Sequence, residues 1–350
     1  MLSNKKITGL FIVITALGGL LFVSFREEKR FISQSNKNIE IITVGVPRPM
    51  AETRDYDTIF KELKSAGING FLGYFLYEEA PEPKSLGYEA DFLPPCTADM
   101  PSLKTLRENH MQLLIPGEIL YPSGNIPPLD QDPLKQLLAC VGLDSVLGVL
   151  SYDEPAWRNE NLFEASRLLY QRVKEVDSSL LVFMVQSALP AIVIENGVSR
   201  PITEAESDLY FDEVKKYNHY ADIIGFDVYP IPTDIASLST PYTRGRLMTD
   251  YKTLLSDYLK WLKENSAGKP FFMALQAFSY DNLDKRWSAS ESKKKPTPAE
   301  LADMIAITKD NGASYIVWFG PSYLTKDDLP FWQDVLMSSK ALSASEQNAN

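Results

Sequence analysis

Several β-rich apolar runs end in side chains able to do chemistry: Arg48, Tyr74, Glu118, Asp153, Glu154, Gln186, Asp227, Tyr229, Gln276 and Trp318. Carboxyl groups give and take protons, amides and a guanidinium bond hydroxyls, and aromatic faces cover the apolar faces of sugar rings. The set suits a carbohydrate substrate, with acids placed to act at a glycosidic oxygen. Asp153, Glu154 and Asp227 are the candidate catalytic groups. Arg48, Tyr74, Glu118, Gln186, Tyr229, Gln276 and Trp318 are the candidate substrate-binding groups.

These residues need a scaffold that brings distant strand ends to one rim. Apolar runs occupy residues 39–48, 68–75, 111–118, 145–154, 179–187, 221–230, 269–278 and 313–320, and amphipathic stretches such as 56–66, 161–176, 250–265 and 298–311 lie between them. Thr297, Pro298 and Glu300 together mark a helix start. Strands alternating with helices in this way predict an α/β fold, a single (β/α)8 TIM barrel over residues 31–340, with a frayed tail at 341–350. Connections entering strands are short, whereas the segments 77–100, 189–207, 231–248 and 279–296 that leave strands are long. Only the C-terminal rim is elaborated, and barrels build their active sites on that rim.

Side-chain alternation refines the list. On the sixth run Phe226 and Val228 are expected to face the helices, leaving Gly225, Asp227 and Tyr229 toward the barrel axis. On the seventh, Gln276 and Phe278 are expected inside. On the eighth, Trp318 is expected inside, opposite Val317 and Phe319. The fourth run is ambiguous by alternation. Pro155 is expected to hold Glu154 extended, so that adjacent acids stand where the strand stops.

Other chemistries fit poorly. The 35 Lys and Arg against 46 Asp and Glu give a net charge of −11, which opposes binding to nucleic acid. His110 and His219, the two histidines, each end a helix just before a strand, on the face opposite the rim, so no metal site is expected. Lys269 stands at the entry end of its run, which disfavours Schiff-base chemistry. Gly-rich phosphate cradles and dinucleotide fingerprints are absent, and no cofactor is expected. Cys96 and Cys140 allow at most one disulfide.

Lys5 and Lys6 precede an apolar run at residues 7–25, about the length that crosses a bilayer core. Residues 1–30 are therefore expected to be a signal anchor or signal peptide, with membrane contact through that segment alone and the barrel outside the cytoplasm. The absence of Asn-x-Ser/Thr favours a bacterial source.

The stretch LGVLSYDEPAW, followed by ADIIGFDVYPIP, KPFFMALQAF and SYIVWFG, resembles the clan of glycoside-hydrolase-type TIM barrels, in particular family 42-like members with Asp-Glu-Pro at strand four. The likeness covers most of residues 39–340. It implies that Glu154 is the general acid/base and that Asp153 orients the substrate or the acid. Retaining members of the clan end strand seven with a nucleophilic Glu, and this sequence has Gln276 there. Four readings of that departure stand: Asp227 as the second carboxylate, Glu118 in that role, an acetamido group of the sugar replacing the nucleophile, or no catalysis. The last would make the chain a non-catalytic glycan-binding or scaffold protein on a degenerate glycosidase barrel.

Overall fold

The computed structural model describes residues 39–73, 91–158, 162–195, 198–283 and 290–347. The apolar run at residues 7–25, Tyr74 and Trp287 lie outside them. Among the described residues no helix is long and apolar enough to cross a membrane.

Parallel strands β1 (Glu40–Val44), β2 (Ile68–Leu72), β3 (Gln112–Pro116), β4 (Val146–Leu150) and β5 (Val182–Ser187) are followed by an antiparallel hairpin, β6 (Ile192–Glu195) and β7 (Val198–Pro201). Strands β8 (Ile223–Val228), β9 (Phe271–Gln276) and β10 (Tyr315–Phe319) complete a closed barrel in the order β1-β10-β9-β8-β5-β4-β3-β2. The expected (β/α)8 fold is present. Several strands stop earlier than the apolar runs, so Arg48, Glu118, Asp153, Glu154 and Tyr229 stand beyond strand ends, whereas Gln186, Asp227, Gln276 and Trp318 are within strands. The hairpin occupies the long segment after β5.

The main helices are α1 (Tyr56–Ser65), α2 (Pro101–Glu108), α3 (Pro133–Val141), α4 (Phe163–Val176), α5 (Glu204–Tyr217), α6 (Tyr251–Asn265), α7 (Pro298–Asp310) and α8 (Leu329–Gln347). Their starts follow from local chemistry. Asp55, Asp132 and Asp250 accept the first free amides of α1, α3 and α6, and Thr203 and Thr297 close capping boxes with Glu206 and Glu300.

Alternating side chains divide the interior in two. Ile42, Val44, Leu72, Leu114, Phe183, Val185, Phe272 and Val317 fill the barrel axis. The opposite faces, with Ile41, Met184, Phe226, Val228, Met273, Leu275 and Trp318, pack against the helices. Trp318 is thus a correction: it is fully buried on the helix side, where its Nε1 donates to Ser339 Oγ of α8 at 2.9 Å. Tyr315, Val317 and Phe319 take the inner face instead.

The ambiguity of the fourth run also has a physical cause. Leu113 pairs with Val146 but Leu114 with Gly148, so Leu147 is an extra residue in β4 and resets its alternation. The expected frayed tail is helical through Gln347. Leu342 is buried there, and Ser343 lies so close to Gly67 that a Cβ on that glycine, at φ +78°, would fall 1.8 Å from Ser343 Oγ. Cys96 and Cys140 form a disulfide.

Asp132 ties α3 to the β3 end of the barrel. Fully buried, it caps Leu134 and Lys135, accepts from Tyr121 Oη at 2.8 Å and pairs with Arg172 of α4 at 2.9 Å. Asp132→Ala would leave Tyr121 without its acceptor and Arg172 with Glu175 alone, and removing one partner of a buried pair costs about 3–5 kcal/mol. Urea unfolding should show a loss of that size. Asp132→Asn, which keeps the cap, should fall in between.

Candidate active site

The site begins where β4 ends. Ser151 N donates to Phe183 O at 2.8 Å and continues the pairing with β5 for one more residue. Tyr152 is buried, its hydroxyl donating to Tyr121 O and accepting from Gly124 N at 2.6 Å, which fastens this loop to the one after β3. Asp153 and Glu154 follow, free of the ladder.

Glu154 has φ +44°, in the left-handed region. The expectation that Pro155 holds it extended is therefore corrected. The chain reverses at Glu154, whose carbonyl accepts from Trp157 N at 3.0 Å and Arg158 N at 3.2 Å. A non-glycine residue keeps such a conformation only where surrounding contacts enforce it, and such residues cluster at active sites. Arg158 reaches Glu118 at 2.6 Å, and Glu118 Oε2 accepts from Asp153 N at 3.3 Å. Gln186 Oε1 accepts from Ala156 N at 3.3 Å. The turn is braced from two neighbouring strands.

These contacts revise three of the candidate binding residues. Gln186 is fully buried beneath the turn rather than lining the cleft, and its Nε2 has no acceptor among the described residues. Glu118 is engaged by Arg158. Arg48 is on a short helix after β1 and pairs with Glu52 at 2.8 Å.

Asp227, inward-facing on β8, completes an acid cluster. Its residue is 7% exposed, and the carboxyl of Glu154 stands beside its own. Burial, then the charge of Glu154 and hydrogen bonding with it, raise its pKa well above 3.8. Like charge so close is unfavourable, so Asp227 holds its proton to higher pH than a free Asp. Asp227 Oδ1 has no donor among the described residues.

Asp153 stands beside the pair. Desolvation, with repulsion from Glu154 and Glu118, holds its pKa up at about 7 against the pull of Arg158. Because the residue is exposed at the rim, water weakens the desolvation part, and the like charges fix the direction.

Gln276 faces inward from β9 as expected, but it is wholly occupied by backbone. Oε1 accepts from Ile231 N at 2.9 Å, and Nε2 donates to Ile231 O at 2.6 Å and Phe278 O at 3.1 Å. It is a clamp on the loop after β8, not a group presented to a ligand. Tyr229 sits on that loop with its ring stacked on Phe319, 5.2 Å between centroids, and edge-on to Phe278 at 5.0 Å. Burial raises its phenol, with Asp227, Glu154 and Asp153 adding to the shift, so it remains a donor.

Phe278 lies inside as expected, whereas the inward Phe319 and the rim residue Trp157 escape sequence reasoning. Trp157 is 39% exposed and edge-on to Tyr210 at 5.9 Å. Anchoring the eighth run on Tyr315 would have brought Phe319 inside, whereas nothing local marks Trp157. A surface cavity of about 520 Å³ lined by Ile192, Ile202, Arg244 and Leu247 contains none of the acids.

Gln276→Glu would set an acceptor-only carboxylate against the carbonyl oxygens of Ile231 and Phe278. Leaving such groups unsatisfied costs about 1–3 kcal/mol, so thermal unfolding should move down rather than a nucleophile being restored. The acid pair makes stability depend on pH. An unfolded Asp releases its proton near 3.8, and folded Asp227 keeps it to higher pH. The folded state therefore binds more protons in that window, and stability falls as pH rises through it. Chemical denaturation at pH 4.5 and 8 should show a smaller fall for Asp227→Asn than for the parent.

No family model matches the chain, and no curated protein matches it in sequence. Solved structures do match its fold. A putative alpha-L-fucosidase from Bacteroides thetaiotaomicron superposes with a TM-score of 0.52 at 13% identity, over 87% of this chain and 97% of that one. The beta-galactosidase of the psychrophilic Marinomonas ef1 gives 0.53 at 8% identity, over 89% of this chain. The Halorubrum lacusprofundi beta-galactosidase gives 0.50 at 9%, over 87%. This chain spans 60% and 58% of those two galactosidases. The chain shares the (β/α)8 barrel fold of these proteins.

Proposed function

We propose that the protein hydrolyses a glycosidic bond of an oligo- or polysaccharide, with Glu154 delivering the proton to the leaving oxygen. The contact between Glu154 and Asp227 carries this reading. It sets two carboxyls side by side at the C-terminal rim of the barrel, with the proton of Asp227 held to higher pH than on a free Asp. Asp227 acts through Glu154 as a positioning residue. The exposed face of Trp157 and the Tyr229–Phe319 stack supply aromatic surface for sugar rings.

Glu154→Gln should lower turnover by about 10²–10⁴-fold on a substrate found by mass spectrometry of products from a polysaccharide panel. Asp227→Asn should retain part of the activity, because Asp227 acts through Glu154 and not on the substrate. Full turnover by Glu154→Gln would refute the assignment.

A second reading, a glycan-binding protein on a glycosidase barrel, is favoured by Gln276 standing where a nucleophile would be. Calorimetric saccharide binding with no product after long incubation would select it.

A further inference from the structure

We propose that the cavity between the β6–β7 hairpin and the loop after β8 is a subsite for an acidic sugar, a uronate remote from the bond that is cleaved, whose carboxylate Arg246 binds. This rests on the hydrolase reading above and names its substrate class, a largely neutral saccharide chain bearing spaced uronates.

The cavity, of about 520 Å³, belongs to the C-terminal rim, because both segments that wall it leave strands there. The hairpin follows β5 and the loop follows β8, and these strands pair through Ser187 and Asp227. Backbone bonds join the two segments: Ala191 N donates to Ser237 O at 2.7 Å, and Ser239 N donates to Leu189 O at 2.8 Å. A third wall is the start of α5 at Glu204. Six residues on, about 9 Å along that helix, Tyr210 meets Trp157 of the acid-bearing turn at 5.9 Å between ring centroids. A saccharide bound at the acids and running outward past Trp157 comes to this cavity.

Its lining fits an anion on a carbon frame. Ile192, Ile202 and Leu247 make apolar walls, and the charged members are Arg244, Arg246 and Glu204. Two guanidinium groups against one carboxylate leave a positive charge over, in a chain whose net charge is −11. Arg244 is neutralised by Glu204 at 3.0 Å and by Asp208. Arg246 is bonded differently. Its Nε donates to the neutral Thr243 O at 3.3 Å, which orients the guanidinium and leaves its charge in place. Its planar Nη fork matches a carboxylate.

The loop that presents Arg246 is rigidly built. Thr243 Oγ1 donates to Arg246 O at 3.0 Å, and Gly245 N donates to buried Ser239 Oγ at 2.8 Å. Gly245, at φ +92°, lies so close to the hairpin that a Cβ there would fall 2.5 Å from Ile202 O. Arg244 is itself left-handed at φ +49°, and backbone held in this way is a feature of ligand clamps. A uronate meets both demands of the lining, since its carboxylate and its C–H ring face stand on one stiff frame. The net charge of −11 disfavours a polymer charged at every unit, so the uronates are spaced among neutral sugars.

The test is calorimetric titration of the full-length protein with xylose and glucose oligosaccharides that carry one glucuronate, beside their methyl esters, which keep the ring and remove the charge. The acid should bind about tenfold or more tightly than its ester, the order of a charge-assisted hydrogen bond, and the preference should shrink as salt rises. Arg246→Ala should abolish the preference with an unchanged unfolding temperature, and Arg246→Lys, a point charge without the fork, should restore part of it. Equal affinity for acid and ester, absence of binding by both included, would overturn the inference and leave the hydrolase reading standing. So would a preference that survives in Arg246→Ala, or displacement of the acid by an equal concentration of citrate, which has carboxylates and no sugar ring. Acid-selective binding through Arg246 with no product from any uronate-bearing polysaccharide would uphold the subsite and overturn the hydrolase reading.

Discussion

A charge on the carboxyl of Glu154 beside buried Asp227 is unfavourable to a second charge there, which requires Asp227 to hold its proton to higher pH than a free Asp. The barrel mouth is arranged around that requirement. β8 fixes Asp227 from one side as part of a rigid ladder in which it pairs with Ala274 of β9 and Ser187 of β5. Glu154 comes from the other side on a reversed turn that nothing local would maintain. The acid pair therefore depends on the groups that hold that turn.

Those groups are polar, and Gln186 and Tyr152 among them are buried. Gln186 supports Ala156 from β5, Glu118 supports the Asp153 amide from the loop after β3, and Arg158 closes the loop back onto Glu118. Tyr152 anchors the same segment from below. On the opposite wall Gln276 performs the equivalent service for the loop that carries Tyr229. Residues whose types suggest ligand binding are in this way spent on backbone. A site with a strained residue beside a buried carboxyl needs that rigidity, since small displacements would separate the carboxyls.

The hydrophobic layers set the frame within which these bonds form. Phe272 lies so near Gly225 that a Cβ there would come within 2.6 Å of its ring, which lets β8 and the barrel filling pack closely just below Asp227. Phe183, Phe272 and Tyr315 fill the axis, so the acids stand on a packed floor rather than over a channel. Aromatic rings above that floor, Tyr229, Phe278 and Phe319, make the wall on the β8 to β10 side.

Hydrophobic alternation, helix caps and short entry turns were enough to determine the barrel, because each is a local consequence of chain geometry. Asp227 and Gln276 were also assigned inward correctly, since β8 and β9 run without irregularity. Trp318 was not, because its run contains aromatic residues on both faces and the C-terminal helix that receives it is far away in sequence. The bulge at Leu147 and the left-handed Glu154 depend on pairing with neighbouring strands, which no local pattern encodes. What only the tertiary structure decided is which polar groups are left over. Gln186, Gln276 and Glu118 read alike as candidate ligands by residue type, and it is the backbone brought to each by folding that engages them and leaves Asp153, Glu154, Asp227 and Tyr229 as the group that can act.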